Sequence, residues 1–186
     1  MTTLIADTQY SVVGLDSLGY GVTDAYAYDI SNNGFIAGMS LKSGVNGKSL
    51  GSRAVYWLPG DTAPTELAFL EMTPTGQTST YATDVNDGGA IVGFASDYMT
   101  GNGQSHAVMW LPDSVAAVDL NELVDPASGW TLTKASGINN DGWIIGNGIG
   151  PDGYNQPFVL APVPEPGSIF LLSTFIVLGL NRRRHV

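Results

Sequence analysis

The sequence holds no cysteine, only seven lysine or arginine residues, and 13% charged residues in all. Without cysteine there is no disulfide framework, no thiolate nucleophile and no cysteine-type zinc site, so packing and hydrogen bonds must hold the fold. Three of the seven basic residues fall in the last five positions, which leaves residues 1–163 with four Lys or Arg against sixteen Asp or Glu, a formal charge of −12. Nothing is then available to neutralise phosphates, and nucleic acid is excluded as a partner. The Gly-x-Ser-x-Gly elbow of a serine hydrolase is missing. His106 is the only histidine ahead of the C-terminal tail, so no nucleophilic triad can be assembled around it. The opening Met1-Thr-Thr-Leu-Ile-Ala-Asp7 has neither the basic flank nor the apolar stretch of about 7 to 15 residues that a secretory signal requires.

What is present points to strands. Twenty-four glycines with many Thr, Ser, Asn and Tyr favour short strands joined by tight turns over helices, so the fold class expected is all-β. A chain of 186 residues suits one domain, residues 1–162, and a short tail, residues 163–186.

Self-comparison finds one unit three times. The copies are Ala27-Tyr-Asp-Ile-Ser-Asn-Asn-Gly34-Phe-Ile-Ala-Gly38, Ala82-Thr-Asp-Val-Asn-Asp-Gly-Gly89-Ala-Ile-Val-Gly93 and Ala135-Ser-Gly-Ile-Asn-Asn-Asp-Gly142-Trp-Ile-Ile-Gly146. Ile30, Val85 and Ile138 align with periods of 55 and 53 residues. A second block comes after each copy in the same order: Arg53-Ala-Val-Tyr-Trp57-Leu-Pro59, His106-Ala-Val-Met-Trp110-Leu-Pro112 and the degenerate Gln156-Pro-Phe-Val-Leu-Ala-Pro162.

Asn-Gly and Asp-Gly between apolar runs predict hairpin tips at Asn33-Gly34, Asp87-Gly88-Gly89 and Asp141-Gly142. Gly38, Gly93 and Gly146 would mark bulges or close backbone approach. A third strand carries Trp57 or Trp110, and a fourth is expected at Thr65 to Leu70 and at Ala117 to Leu120. The expectation is thus three four-stranded antiparallel repeats of about 54 residues (about 10–64, 65–116 and 117–162), propeller-like or pseudo-threefold. Repeat three has no fourth strand of its own, so Tyr10 to Leu15 is expected to pair with Phe158 to Leu160. An open curved stack and a ring closed between two chains stay open as alternatives.

These blocks, with Tyr10-Ser-Val-Val-Gly-Leu-Asp-Ser-Leu-Gly19 ahead of them, resemble the HAF repeats found in tandem in exported bacterial proteins. The resemblance covers roughly residues 10 to 162 and implies no enzymatic activity. The name-giving His-Ala-Phe stands here as Arg53-Ala54-Val55, His106-Ala107-Val108 and Gln156-Pro157-Phe158.

After Pro162 the composition changes abruptly. Val163, Pro164, Glu165 and Pro166 give an extended entry, an uncharged apolar run extends from Ser168 to Leu180, and Arg182, Arg183 and Arg184 close it. A transmembrane helix is expected over about 167–181. Some 15 residues span about 22 Å, short of the roughly 30 Å of hydrocarbon. The three arginines nevertheless fit a cytoplasmic end by the positive-inside rule, with the acidic repeats outside.

The order of elements is similar to the PEP-CTERM sorting signal. That resemblance implies an exosortase as processing partner, recognition at Val163, Pro164, Glu165 and Pro166, and a membrane-anchor basic end at Arg182, Arg183 and Arg184. It also implies a transient stay in the inner membrane before the protein reaches the cell surface or the medium. Such a tail needs an export signal, and the expectation is that the natural start lies further upstream.

No catalytic residue, cofactor or metal site is expected. Asp29 to Gly34 matches the first half of a calcium loop, but Ser40 stands where a glutamate belongs. Trp57 and Trp110 recur at one repeat position and are expected in the core rather than as sugar-stacking platforms. Loops Leu41 to Ser52, Asp97 to Ser105 and Asn147 to Asn155 occupy equivalent places, and an extracellular polysaccharide stays open as their partner. The reading is a non-catalytic surface or matrix protein. The competing reading is a glycan- or ion-binding lectin-like module or carbohydrate-acting enzyme, for which Asp97 and Asp152 would have to come within about 5 to 9 Å of each other.

Overall fold

A computed structural model describes residues 9–19, 24–44, 47–70, 76–96 and 105–163. Among the described residues eleven strands form three antiparallel sheets. The first contains β1 (Ala25–Ile30), β2 (Ile36–Ser43), β3 (Ser49–Trp57) and β4 (Thr65–Glu66), in that order. The second repeats it with β5 (Ser79–Val85), β6 (Ile91–Ser96), β7 (Ser105–Trp110) and β8 (Ala117–Asp119). The third has only β9 (Thr131–Ile138), β10 (Ile144–Ile149) and β11 (Asn155–Leu160), with β11 at an edge. Two short 3-10 helices, Leu120–Leu123 and Pro126–Ser128, link β8 to β9.

The repeat period is visible in the hairpins. Gly34, Gly89 and Gly142 take φ of +84°, +80° and +78°, and each donates its N–H to the carbonyl three residues earlier. Only the glycine of each tip is left-handed, so the tip is a three-residue loop ending in a glycine bulge rather than a two-residue turn with both centres at positive φ. Beyond it, Gly38 sits opposite Ala27, Gly93 opposite Ala82 and Gly146 opposite Ala135, each beside a bulge in the facing strand. A Cβ on Gly93 would lie 1.8 Å from the Tyr81 carbonyl oxygen, which is why no side chain fits there.

Successive sheets pack through their first strands. β5 lies across β1, β2 and β3, and β9 lies across β5, β6 and β7. Two apolar clusters result. One joins Ala37 and Ala54 of the first repeat to Ala82, Val85 and Ile91 of the second, and the other joins Val92 and Ala107 to Leu132, Ala135 and Ile144. Trp57 and Trp110 are fully buried, as the recurrence of Trp predicts.

The first and third sheets have no comparable contact, so among the described residues the architecture is an open stack and not a propeller or closed ring. Closure fails at the predicted seam. Tyr10 to Leu15 joins no sheet; the chain there runs over repeat one, where Asp16 N–H donates to Thr62 O at 2.8 Å and Trp57 Nε1 donates to Asp16 O at 3.2 Å. The same bonds recur one repeat on, from Ala68 N–H to Val115 O and from Trp110 Nε1 to Ala68 O, both 2.8 Å. The N-terminal segment therefore occupies, over repeat one, the place that the end of repeat one takes over repeat two. Ile30 departs from equivalence: among the described residues no sheet packs on it as the first sheet packs on Val85, and it is 64% exposed where Val85 is 3%.

Among the described residues no helix is long and apolar enough to cross a membrane. The helix expected over 167–181 lies outside them.

Candidate functional site

The polar side chains that the repeat places at fixed positions meet along the line of hairpin tips. Asp87, at the middle tip, takes Asn32 N–H (2.7 Å) and Asn32 Nδ2 (3.0 Å) from the tip before it and Asn140 Nδ2 (2.8 Å) from the tip after it. Its own N–H donates to Asn140 Oδ1 at 2.9 Å, and its carbonyl takes Asn33 Nδ2 at 2.8 Å. The amides of Asn32 and Asn140 hold the carboxyl below its ordinary pKa. This residue is only partly buried, yet its oxygens are committed to stitching three repeats together.

Below the tips lies a carboxyl pair. The bulge at Tyr28 and its equivalent at Thr83 turn Asp29 and Asp84 toward the following repeat. Asp29 Oδ2 accepts Val85 N–H at 3.1 Å, and Asp84 Oδ2 accepts Ile138 N–H at 2.5 Å. Partial burial raises the Asp84 pKa from 3.8 to about 6, helped by a hydrogen bond to and charge repulsion from Asp29, against the lowering effect of the Ile138 bond. Repeat three carries Gly137 at this place, where a Cβ would stand 3.5 Å from Asp84 Oδ2. The row of carboxyls ends with the last junction it can serve. Two carboxyls bonded to each other leave no room for a scissile sugar bond, which needs them about 5 to 9 Å apart.

A second recurring pair braces the third strand of a repeat to the fourth. Arg53 Nε lies 3.1 Å from Glu66 Oε1 without an aligned hydrogen bond, while its Nη1 and Nη2 donate to the carbonyls of Leu50, Thr78 and Gly76. Desolvation lowers the Arg53 pKa, against the raising effect of Glu66. His106, in the equivalent place on β7, meets Asp119 Oδ2 through Nδ1 at 2.7 Å. The other Asp119 oxygen caps the helix at Leu120–Leu123 through Asn121 N–H at 2.9 Å. In repeat three Gln156 turns instead to Asp152, 2.6 Å away. The Glu66, Asp119 and Asp152 contacts are struts within one repeat, while Arg53 also reaches the Gly76 and Thr78 carbonyls that lead into β5 of the next.

Of the residues expected to serve sorting, Val163 is described and exposed, three residues past β11. Pro164, Glu165, Pro166, Arg182, Arg183 and Arg184 lie outside the described residues, as does Asp97. Asp152 is engaged by Gln156. Among the described residues no three His, Asp or Glu side chains group to hold a metal ion. A groove of about 490 Å³ runs along β11, lined by Pro157 to Leu160 and by Val124, Trp130 and Leu132 among others. Sequence reasoning missed the Asp29–Asp84 ladder. Its signal was legible: aspartate recurs at this place in two repeats and gives way to glycine in the third.

A family model described as a protein of unknown function, DUF3466, matches residues 17–154, which takes in β1 to β10 and stops before β11 and the tail. No curated protein matches the chain, and no solved structure does. Since the matched region is most of the 186 residues, the chain belongs to the DUF3466 family.

Proposed function

We propose that this is a non-catalytic structural protein of the bacterial cell surface or extracellular matrix, its repeats of the HAF type, delivered by an exosortase acting on residues 163–186. The observation that carries the reading is the tail, in which Pro164-Glu165-Pro166, an uncharged apolar run and Arg182 to Arg184 stand in order. Val163 leaves the repeat body exposed, so a processing enzyme could reach the chain there without unfolding the last sheet. The polar groups of the body support a structural role. Asp29, Asp84, Asp87 and Asn140 bind neighbouring repeats, and His106 with Asp119 braces a strand, which leaves these groups committed to the fold.

The test replaces Pro164, Glu165 and Pro166 by alanine in a chain expressed behind a secretion signal in exosortase-bearing cells. Export should persist, and the variant should stay in the inner membrane with its tail while the parent leaves it. Normal release of the alanine variant would overturn the reading.

A further inference from the structure

Stacked-repeat proteins close their ends with polar outer faces, because each repeat otherwise exposes the surface that a neighbour would bury. Among the described residues neither end of this stack is closed in that way. At the C-terminal end Ile145 is 54% exposed, although its equivalent Val92 is fully buried by repeat three. Trp143 and Val159 stand open beside it. At the other end Ala27, Ile30 and Ile36 border a shallow recess of about 340 Å³. Their equivalents Ala82, Val85 and Ile91 are the residues by which repeat two seats on repeat one.

The strand edges are unpaired in the same complementary way. β4 and β8 pair with β3 and β7 through Tyr56 to Thr65 and through Met109 to Val118. Among the described residues nothing pairs with the outer edge of β11 at the equivalent Val159. The matching strand exists at the other end of the chain: the bonds of Asp16 and Ala68 set the N-terminal segment in register with the fourth strand, so that Val13 corresponds to Thr65. Val12 and Val13 are 97% and 69% exposed, and no atom comes within 4 Å of a Cβ placed on Gly14.

We infer that the chain binds a second copy of itself head to tail, the first repeat of one copy seating on the third repeat of the next while Val12 to Gly14 adds to β11 as its fourth strand. The junction continues the interface that already runs twice through the chain, and it uses surfaces present at both ends of every copy. Such a contact is heterologous, so it generates rings or filaments according to the rotation between copies. Gly137 leaves the junction without the carboxylate that Asp29 and Asp84 supply internally, so it is the weakest in the stack and responds to protein concentration. Its formation does not depend on the processing of the tail.

Mass measurement of the purified full chain over a concentration series should show twofold and higher multiples of the monomer. Val13→Pro, which spoils the added strand, and Ile145→Lys, which charges the receiving face, should each hold the chain at the monomer. Their equimolar mixture should regain a one-to-one pair, because each keeps the end that the other lacks. The chain has no native cysteine, so Val13→Cys and Val159→Cys chains, mixed and oxidised, should link to each other and not to themselves. A wild-type chain that stays monomeric, multiples that survive both variants unchanged, links between like positions, or a link closing within one chain carrying both cysteines would each overturn the inference.

Discussion

Replacing Asp84 by asparagine is expected to stabilise the repeats at neutral pH and to flatten the dependence of stability on pH. Partial burial and the Asp29 carboxyl raise the folded pKa of Asp84 from 3.8 to about 6. Between these values the folded chain holds a proton that the unfolded chain has released, so stability falls as pH rises through that window and levels off above it. The stabilisation is complete below about pH 4 and gone above about pH 6. At about 1.4 kcal/mol per unit the ceiling is about 3 kcal/mol, and because the carboxyl is only partly buried, solvent screening brings the expected effect to about 1 kcal/mol.

Asparagine keeps the acceptor for Ile138 N–H and offers Asp29 a donor that needs no proton. The pKa of Asp87 is lowered, so its own pH effect has the opposite sign, but it is common to both chains and drops out of their difference. Urea unfolding of both chains at about pH 4, 6 and 8 reads the effect. The variant should gain about 1 kcal/mol at pH 8, and the gain should vanish toward pH 4. A variant that is less stable at pH 8, or a difference independent of pH, would refute the reasoning.

Two further changes test the packing. Gly93→Ala sets a Cβ 1.8 Å from a backbone oxygen that cannot move aside, and should cost at least about 1–3 kcal/mol, read as a lowered thermal midpoint; an unchanged midpoint would show that the strands can part there. Trp110→Phe removes the indole bond to Ala68 O and leaves that part-buried carbonyl without this donor, an expected loss of about 1 kcal/mol in denaturant unfolding. Unaltered stability would mean that the recurring Trp only fills space.

The strands and their order were legible because the repeat marks them three times: a glycine at each tip, a glycine opposite each bulge and an apolar strand after each. The tips fall where Asn-Gly and Asp-Gly place them, and the structure adds that each is a three-residue loop in which Asn33 keeps a negative φ and Gly34 alone turns over. The architecture was less legible. A missing fourth strand in repeat three and a spare strand at the N-terminus suggested a ring, but Asp16 bonds to Thr62 and Trp57 and holds that spare strand at the wrong end of the stack to close it. Long-range pairing of this kind is decided by which face each sheet offers, and spacing along the chain does not carry that information. The polar ladder escaped notice because a single aspartate in a strand reads as a solvated residue. Its partner is a backbone N–H about one repeat away, which no local pattern announces.

The most direct test of the account is the mass of the protein recovered from the outside of exosortase-bearing cells, read to the last residue. A surface protein sorted through its tail should arrive as the intact repeat body ending near Pro164-Glu165-Pro166, without the apolar run and without Arg182 to Arg184. Protein recovered there with its sequence continuous to Val186 would contradict the account.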